Sequence, residues 1–329
     1  MSLRTAAETL ARSASDVVIV SALRTPVCRA YKGGLRDAYP EELLASVLAA
    51  TRAAVPDLPP AAVEDVAVGV VLSELGGSKA ARMALNHAGF PHTTTLHTVN
   101  RACASSLQAV ASVAAEIRTG TISVGIAAGM ESMTRNYGSR AVPRDDDGIR
   151  EGATLEALAR LKPAFAPDGA STAGNSSQVS DGAAATLLMR RGTAEALGLG
   201  GKVLGRYVAG VTVGCAPDEM GVGPALAVPK LLAATGLETR DVHRWELNEA
   251  FASQALHCVR ALGLEEAWAE GRVNPDGGAI ALGHPLGATG ARMVATLMHG
   301  LRREAKGDVG VATLCIGTGM GHAALFVAE

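Results

Sequence analysis

Along this chain the spacing of apolar residues switches repeatedly between two periods. Short alternating or continuous apolar runs read as strands, and stretches whose apolar residues recur every three to four positions read as helices. Asp16–Ser21 opens the series as a strand, and Pro40 starts a helix with Leu43, Leu44, Val47 and Leu48 on one face. A strand at Val66–Val71 and a helix at Ala80–Ala88 follow, the helix closed by Gly89. The alternating run Thr95–Val99 then gives way to Leu107, Val110, Ala111, Ala114 and Ile117 at helical spacing, up to Gly120. Ile122–Ala128 reads as a buried strand. Strands that alternate with helices imply parallel pairing and right-handed crossovers.

From about Lys202 the same order recurs. Val203–Val211 is an opening strand, Ala225–Thr235 a helix, Arg244–Leu247 a strand and Ala250–Leu262 a helix. A helix carrying Met293, Val294, Leu297, Met298 and Leu301 leads to strands at Val309–Leu314 and Ala323–Val327. This order implies an internal duplication. The halves differ at one place: a tight Gly317–Gly321 connection joins the last two strands of the second half, whereas Glu131–Ser180 intervenes before the strand Asp181–Met189 of the first. The expected organisation is an arm at 1–15, a first half at 16–133 plus 171–191, an insertion at 134–170 and a second half at 192–329. The arm reads as loose or weakly helical. Within the insertion, Thr154–Leu161 reads as a helical piece and Asp145–Asp147 as a solvated acidic loop.

Composition narrows the class. Of 329 residues 48% are hydrophobic but only 3% aromatic, so the core is built from Ala, Val, Leu and Ile, as in a close-packed α/β protein. The net charge of −2 offers no basic footprint for nucleic acid. No apolar run reaches the roughly 18 residues of a membrane span. Five widely spaced cysteines without a C-x-x-C fit a reducing compartment better than a disulfide framework or a zinc knuckle. Arg4 and Arg12 in the first fifteen residues leave a transit-peptide remnant open, and neither terminus shows a clear targeting signal.

The candidate chemistry lies at predicted strand ends. Cys103 sits where a strand becomes a helix, and the unpaired N–H groups and dipole of a helix N-terminus are expected to lower its thiol pKa. Free cysteine is also among the most buried residue types, so a packing role is the competing reading. Asn248 stands at a second strand-to-helix switch, where it can cap the helix, orient a water or polarise a carbonyl. His284, between Gly283 and Pro285, lies in a tight turn that leaves a base unhindered access to a substrate. Cys315 ends a strand, and Gly317 lets backbone N–H groups approach a bound oxygen. The Gly317–Gly321 run is followed by a strand, so it is no dinucleotide turn; no P-loop is present, and His284 lacks a second ligand at metal spacing. Two thiols, an imidazole and an amide suit acyl transfer through a thioester.

The motifs Val99-Asn100-Arg101-Ala102-Cys103-Ala104-Ser105-Ser106, Asn248-Glu249-Ala250-Phe251-Ala252, Gly283-His284-Pro285-Leu286-Gly287-Ala288-Thr289-Gly290 and Cys315-Ile316-Gly317-Thr318-Gly319 resemble those of the thiolases, most closely the degradative 3-ketoacyl-CoA thiolases of peroxisomal type. The resemblance implies the thiolase fold, an α/β architecture of two similar halves in five αβαβα layers, and a homodimer. It implies that Cys103 carries the acyl group, His284 activates it and Cys315 serves the α-carbon as acid and base. Asn248 would hold a water that forms one oxyanion hole with His284, and the N–H groups of Cys103 and Gly317 would form another. Phe165, Ser177, Met220, Ala250 and Phe251 would line the pantetheine tunnel, with Arg150 at the adenine end. CoA and acyl-CoA enter as substrates, with no bound cofactor and no metal. The implied location is peroxisomal, otherwise cytoplasmic. Two departures stand out: the family's loop domain is shortened to Glu131–Ser180, and the glycine after Cys-x-Ser is Ser106, expected to crowd the turn slightly. The expected function is cleavage of 3-ketoacyl-CoA by CoA into acetyl-CoA and a shortened acyl-CoA. A biosynthetic condensing enzyme is the rival that the second thiol disfavours. A catalytically weak or inactive thiolase-like protein is the rival that the shortened loop favours, along with weaker CoA binding and loss of a tetramer.

Overall fold

The computed structural model describes residues 4–135, 146–149, 152–304 and 308–329. Its strands are β1 (Val17–Arg24), β2 (Cys28–Arg29), β3 (Asp65–Gly69), β4 (Thr95–Val99), β5 (Val124–Ser132), β6 (Ser180–Arg190), β7 (Gly205–Gly214), β8 (Arg244–Leu247), β9 (Val309–Ile316) and β10 (Met320–Ala328). Its α-helices are α1 (Ala6–Leu10), α2 (Pro40–Ala54), α3 (Ser78–His87), α4 (Ser105–Thr119), α5 (Leu155–Ala159), α6 (Arg191–Ala196), α7 (Gly223–Thr235), α8 (Ala252–Ala261), α9 (Glu265–Ala269) and α10 (Leu286–Glu304).

The strands run in the order β4-β3-β5-β6-β1-β7-β10-β9-β8. Reading outward from the β1–β7 seam, each half repeats the other. β1 and β7 each pair antiparallel with the long last strand of their own half, β6 or β10, and that strand pairs antiparallel with β5 or β9. The next strand, β3 or β8, is parallel to it. Even β4 has a counterpart, an isolated parallel bridge from Trp245 to Val273. The duplication inferred from element order is therefore present in strand pairing.

Alternation along the strands sorts the core into layers, because successive side chains face opposite sides of a sheet. On β9, Val309 and Val311 join α7 and α8 in an outer cluster, while Ala312, Leu314 and Ile316 face inward. The inner cluster combines Leu107, Val110, Val113 and Ile117 of α4 with Met293, Val294, Leu297 and Met298 of α10, and takes residues from both halves of the sheet. A third cluster holds α2 and α3 against the outer face of the first half. The result is the expected αβαβα succession, with α4 and α10 as the shared middle layer.

The arm takes the helical of its two expected forms: Thr5 and Glu8 form a capping box on the short α1, and buried Thr9 donates its hydroxyl to the Thr235 carbonyl at 2.7 Å. One local expectation changes, since the acidic run is not a solvated loop. Asp146 accepts both terminal nitrogens of Arg24 at 2.8 Å and the Val27 N–H at 2.6 Å, and Asp147 accepts the N–H groups of Arg29 and Gly34. These carboxylates satisfy backbone donors that the chain leaves unpaired after β1, a role that charge patterning does not reveal. Asp145 lies outside the described residues.

The middle helices approach so closely that glycine is required between them. A Cβ on Gly290 would stand 2.4 Å from the Leu107 nitrogen, and one on Gly69 would stand 2.3 Å from that of Ser106. Ser106 is fully buried, and its Oγ accepts the Ala291 N–H at 2.9 Å, so this residue ties α4 to α10 instead of merely crowding the turn. Gly290→Ala is expected to lower stability by about 1–3 kcal/mol through overpacking against backbone that cannot retreat. Thermal and denaturant unfolding of the purified variant checks this.

Candidate active site

Parallel strands deliver their following loops to one end of a sheet, and the candidate residues lie at those ends. β4 leads into the Cys103 turn. Asn100 Oδ1 accepts the Ala102 N–H at 3.0 Å, and Ser105 Oγ accepts the Arg101 N–H at 2.9 Å while donating to the Ala102 carbonyl at 2.6 Å. These bonds hold Ala102 at φ +41°, a strained value for a residue with a Cβ. α4 begins two residues after Cys103, as the sequence suggested.

The expected sign of the Cys103 shift is reversed. Burial dominates and pushes the thiol up, although the N–H groups of Gly317 and of Cys103 itself favour the thiolate. Desolvation of the thiolate outweighs the favourable field of the helix terminus.

His284 enters from the other half. Its N–H donates to the Gln178 carbonyl at 2.9 Å, and α10 starts two residues later. The imidazole is buried, and burial together with the Arg292 cation pushes its pKa down to about 3, so it is neutral at physiological pH. Nδ1 lies 2.7 Å from Thr289 Oγ1, and Nε2 lies 3.5 Å from Asn248 Nδ2. Asn248 is fully buried and follows β8, where its N–H donates to the Thr313 carbonyl at 2.9 Å. The capping alternative falls away, since α8 starts only at Ala252 with Phe251 at the cap position. Among the described residues the Asn248 Oδ1 has no hydrogen-bond partner, which leaves it available to a water or substrate.

Cys315 ends β9 and is buried; burial, then the neighbouring Cys103, pushes its thiol up. The following turn passes through Thr318 and Gly319, both at positive φ. A Cβ at Gly317 would meet no protein atom within 4 Å, so open space adjoins this N–H. Cys103 thus meets Gly317 and Cys315, His284 meets Asn248, and Asn248 is bonded to β9 two residues before Cys315, so four loops of both halves contribute.

Of the residues matched to a CoA tunnel, four are joined directly. Ser177 donates its N–H to the Ala250 carbonyl at 2.9 Å, and the Phe165 ring meets Phe251 edge-on at 5.8 Å. Phe165 is 75% exposed, which excludes a core role. Met220 lies half-buried in the 3₁₀ turn Pro217–Val222, whose Gly221 carbonyl accepts from Cys258 on α8. Arg150 lies outside the described residues.

Sequence reading missed three supports. Glu131 is buried and accepts N–H groups from Val71, Leu72 and Gly287 at 3.0–3.2 Å, bracing the loop after β3 against the start of α10. An acid closing an apolar strand was its signal. Thr289, just over one helical turn beyond His284, orients the imidazole. Asn274 bonds Leu247 and Glu249, and Glu249 also accepts the Ile280 N–H, fastening the loop before His284 to the end of β8.

Comparison with known proteins agrees with this layout. Residues 17–144 and 137–192 match the model of the thiolase N-terminal domain, and 201–328 match that of the C-terminal domain. The peroxisomal 3-ketoacyl-CoA thiolase B of Rattus norvegicus is 42% identical over 393 positions, covering 95% of this chain and 91% of that protein. About 80 of those positions therefore have no counterpart in this 329-residue chain. The dimeric peroxisomal thiolase of Saccharomyces cerevisiae superposes with a TM-score of 0.89 at 37% identity, over 98% of this chain and 100% of that one. Human mitochondrial 3-ketoacyl-CoA thiolase in complex with CoA gives 0.86 at 29% identity, over 96% and 98%. With both halves matched and the same layered architecture, the chain belongs to the thiolase family.

Proposed function

We propose that this protein is an acetyl-CoA C-acyltransferase that cleaves 3-ketoacyl-CoA with CoA in fatty acid β-oxidation. The observation that carries this reading is a neutral His284, oriented by Thr289 and beside Asn248, together with two mutually interacting thiols, Cys103 and Cys315, all at strand ends of the two halves. With Nδ1–H donated to Thr289, His284 Nε2 holds the lone pair a base needs. It takes the Cys103 proton as sulfur attacks the keto carbon. The C2–C3 bond then breaks, Cys315 protonates the departing α-carbon, and acetyl-CoA leaves an acyl group on Cys103. In the second half-reaction the thiol of a new CoA gives its proton to the Cys315 thiolate and attacks the thioester, and Cys103 departs as the thiol, taking back the proton held by His284. The N–H groups of Cys103 and Gly317 stabilise one developing oxyanion, and Asn248 with His284 and a water stabilises the other.

Phe165, Ser177, Met220, Ala250 and Phe251 serve the pantetheine arm and Arg150 the nucleotide, with CoA a substrate and not a resident group. The dimeric and peroxisomal relatives support a homodimer and a peroxisomal location. A second reading, a catalytically weak thiolase, draws on the missing positions: Leu155 and Phe165 are 79% and 75% exposed on the segment beside the tunnel residues. We weigh activity higher because the catalytic side chains are all present, and expect CoA to be held weakly.

Three outcomes test this. Incubation with a ketoacyl-CoA is expected to add one acyl group to Cys103 by mass spectrometry, and its absence would sink the mechanism. Because the thiol starts protonated beside a neutral base, iodoacetamide modification of Cys103 is expected to rise about tenfold per pH unit through neutrality; a rate already level between pH 5 and 8 would instead reveal a preformed ion pair. In steady-state thiolysis of acetoacetyl-CoA and a longer ketoacyl-CoA, replacing CoA by its pantetheine portion is expected to cost less than tenfold in kcat/KM, since nucleotide contacts are reduced. A larger loss would mean that the nucleotide end is fully gripped.

A further inference from the structure

Far from the candidate active site, Asp65 at the start of β3, His97 on β4 and Glu116 on α4 converge. Among the described residues this trio forms a group whose ligating atoms all lie within 4.8 Å of one another. Their sequence separation hides the cluster from any motif search. Glu116 stands eleven residues beyond the first residue of α4, about 16 Å along the helix, so the trio lies well away from the Cys103 turn.

We propose that Asp65, His97 and Glu116 bind a divalent transition-metal ion of the zinc or cobalt type. One imidazole and two carboxylates form a ligand set suited to such ions, with a remaining position for water. A tetrahedral ion holds its donors about 3.3 Å apart. His97 Nδ1 and Asp65 Oδ2 already stand 3.0 Å apart, and Glu116 closes the set from a flexible arm. Asp65 is held in place by Thr95, whose hydroxyl donates to its other oxygen at 2.5 Å. Glu116 Oε2 is a buried atom with no hydrogen-bond partner among the described residues, an acceptor left unused there. The His97 side chain is 43% exposed, so an ion can enter.

The ion takes the place of the hydrogen bond between His97 and Asp65, and His97 binds it through Nδ1 as the neutral imidazole with its proton on Nε2. Its effect is to clip together β3, β4 and α4, the strands and helix that frame the Cys103 turn. The site is a stabiliser and not a participant in acyl transfer.

Cobalt titration of the chelator-stripped full chain tests this. One equivalent is expected to give visible d–d bands without thiolate charge transfer, which separates this site from the five cysteines. His97→Ala and the conservative Glu116→Gln are each expected to lose these bands and to lose the rise in melting temperature that zinc gives the wild type. Both variants are expected to keep thiolysis within twofold, which also shows that they fold. Bands unchanged in either variant, or a wild type with only thiolate charge transfer or no bands, would overturn the proposal.

Discussion

Everything catalytic here depends on how closely two helices can approach. α4 follows the Cys103 turn and α10 follows the His284 turn, and the two helices come from different halves. Glycines at 129 and 290 remove the side chains that would hold the helix starts apart, Gly69 lets the end of β3 meet α4, and Ser106 Oγ accepts a backbone N–H across the contact. Interiors are packed at crystal-like density, so such a contact fixes positions to a fraction of an ångström. Glu131 adds a second brace between the same loops. The duplication thus matters less as repetition than as a way to bring two strand-end loops face to face.

Within that frame the chemistry uses neutral groups. Separating charge between a buried thiol and a buried imidazole is costly in low dielectric, and the structure leaves both uncharged until a substrate arrives. The available N–H groups then stabilise charge as it develops. Neighbouring Arg292 does more than disfavour imidazolium: it pairs with fully buried Glu246 at 3.2 Å, so a cation sits close to the base without being left unpaired.

Much of this was legible in the sequence, for identifiable reasons. β4 and β8 match their predicted limits because alternation is strong and turn residues bound them. β5 runs on to Ser132, beyond the apolar run, because Glu131 and Ser132 are buried through hydrogen bonds that hydropathy cannot show. The motif residues were found because glycines and prolines mark the turns that present them. The protonation state of Cys103 was not, since local motifs report the helix field while burial depends on the whole fold. Asp146 and Asp147 look like solvent-facing charge until their backbone partners, more than a hundred residues away, are known. The trio at 65, 97 and 116 was hidden for the same reason.

The exposed apolar side chains beside the tunnel bear on more than affinity. In the proposed cycle a thioester on Cys103 waits for a second CoA. A cover normally protects such an intermediate from water as well as gripping its acceptor. On the proposed mechanism, the exposure of Leu155 and Phe165 makes the waiting acyl group a branch point between transfer and hydrolysis, and the shortened segment would then set the fidelity of the reaction, the fraction of each acyl group conserved as a thioester.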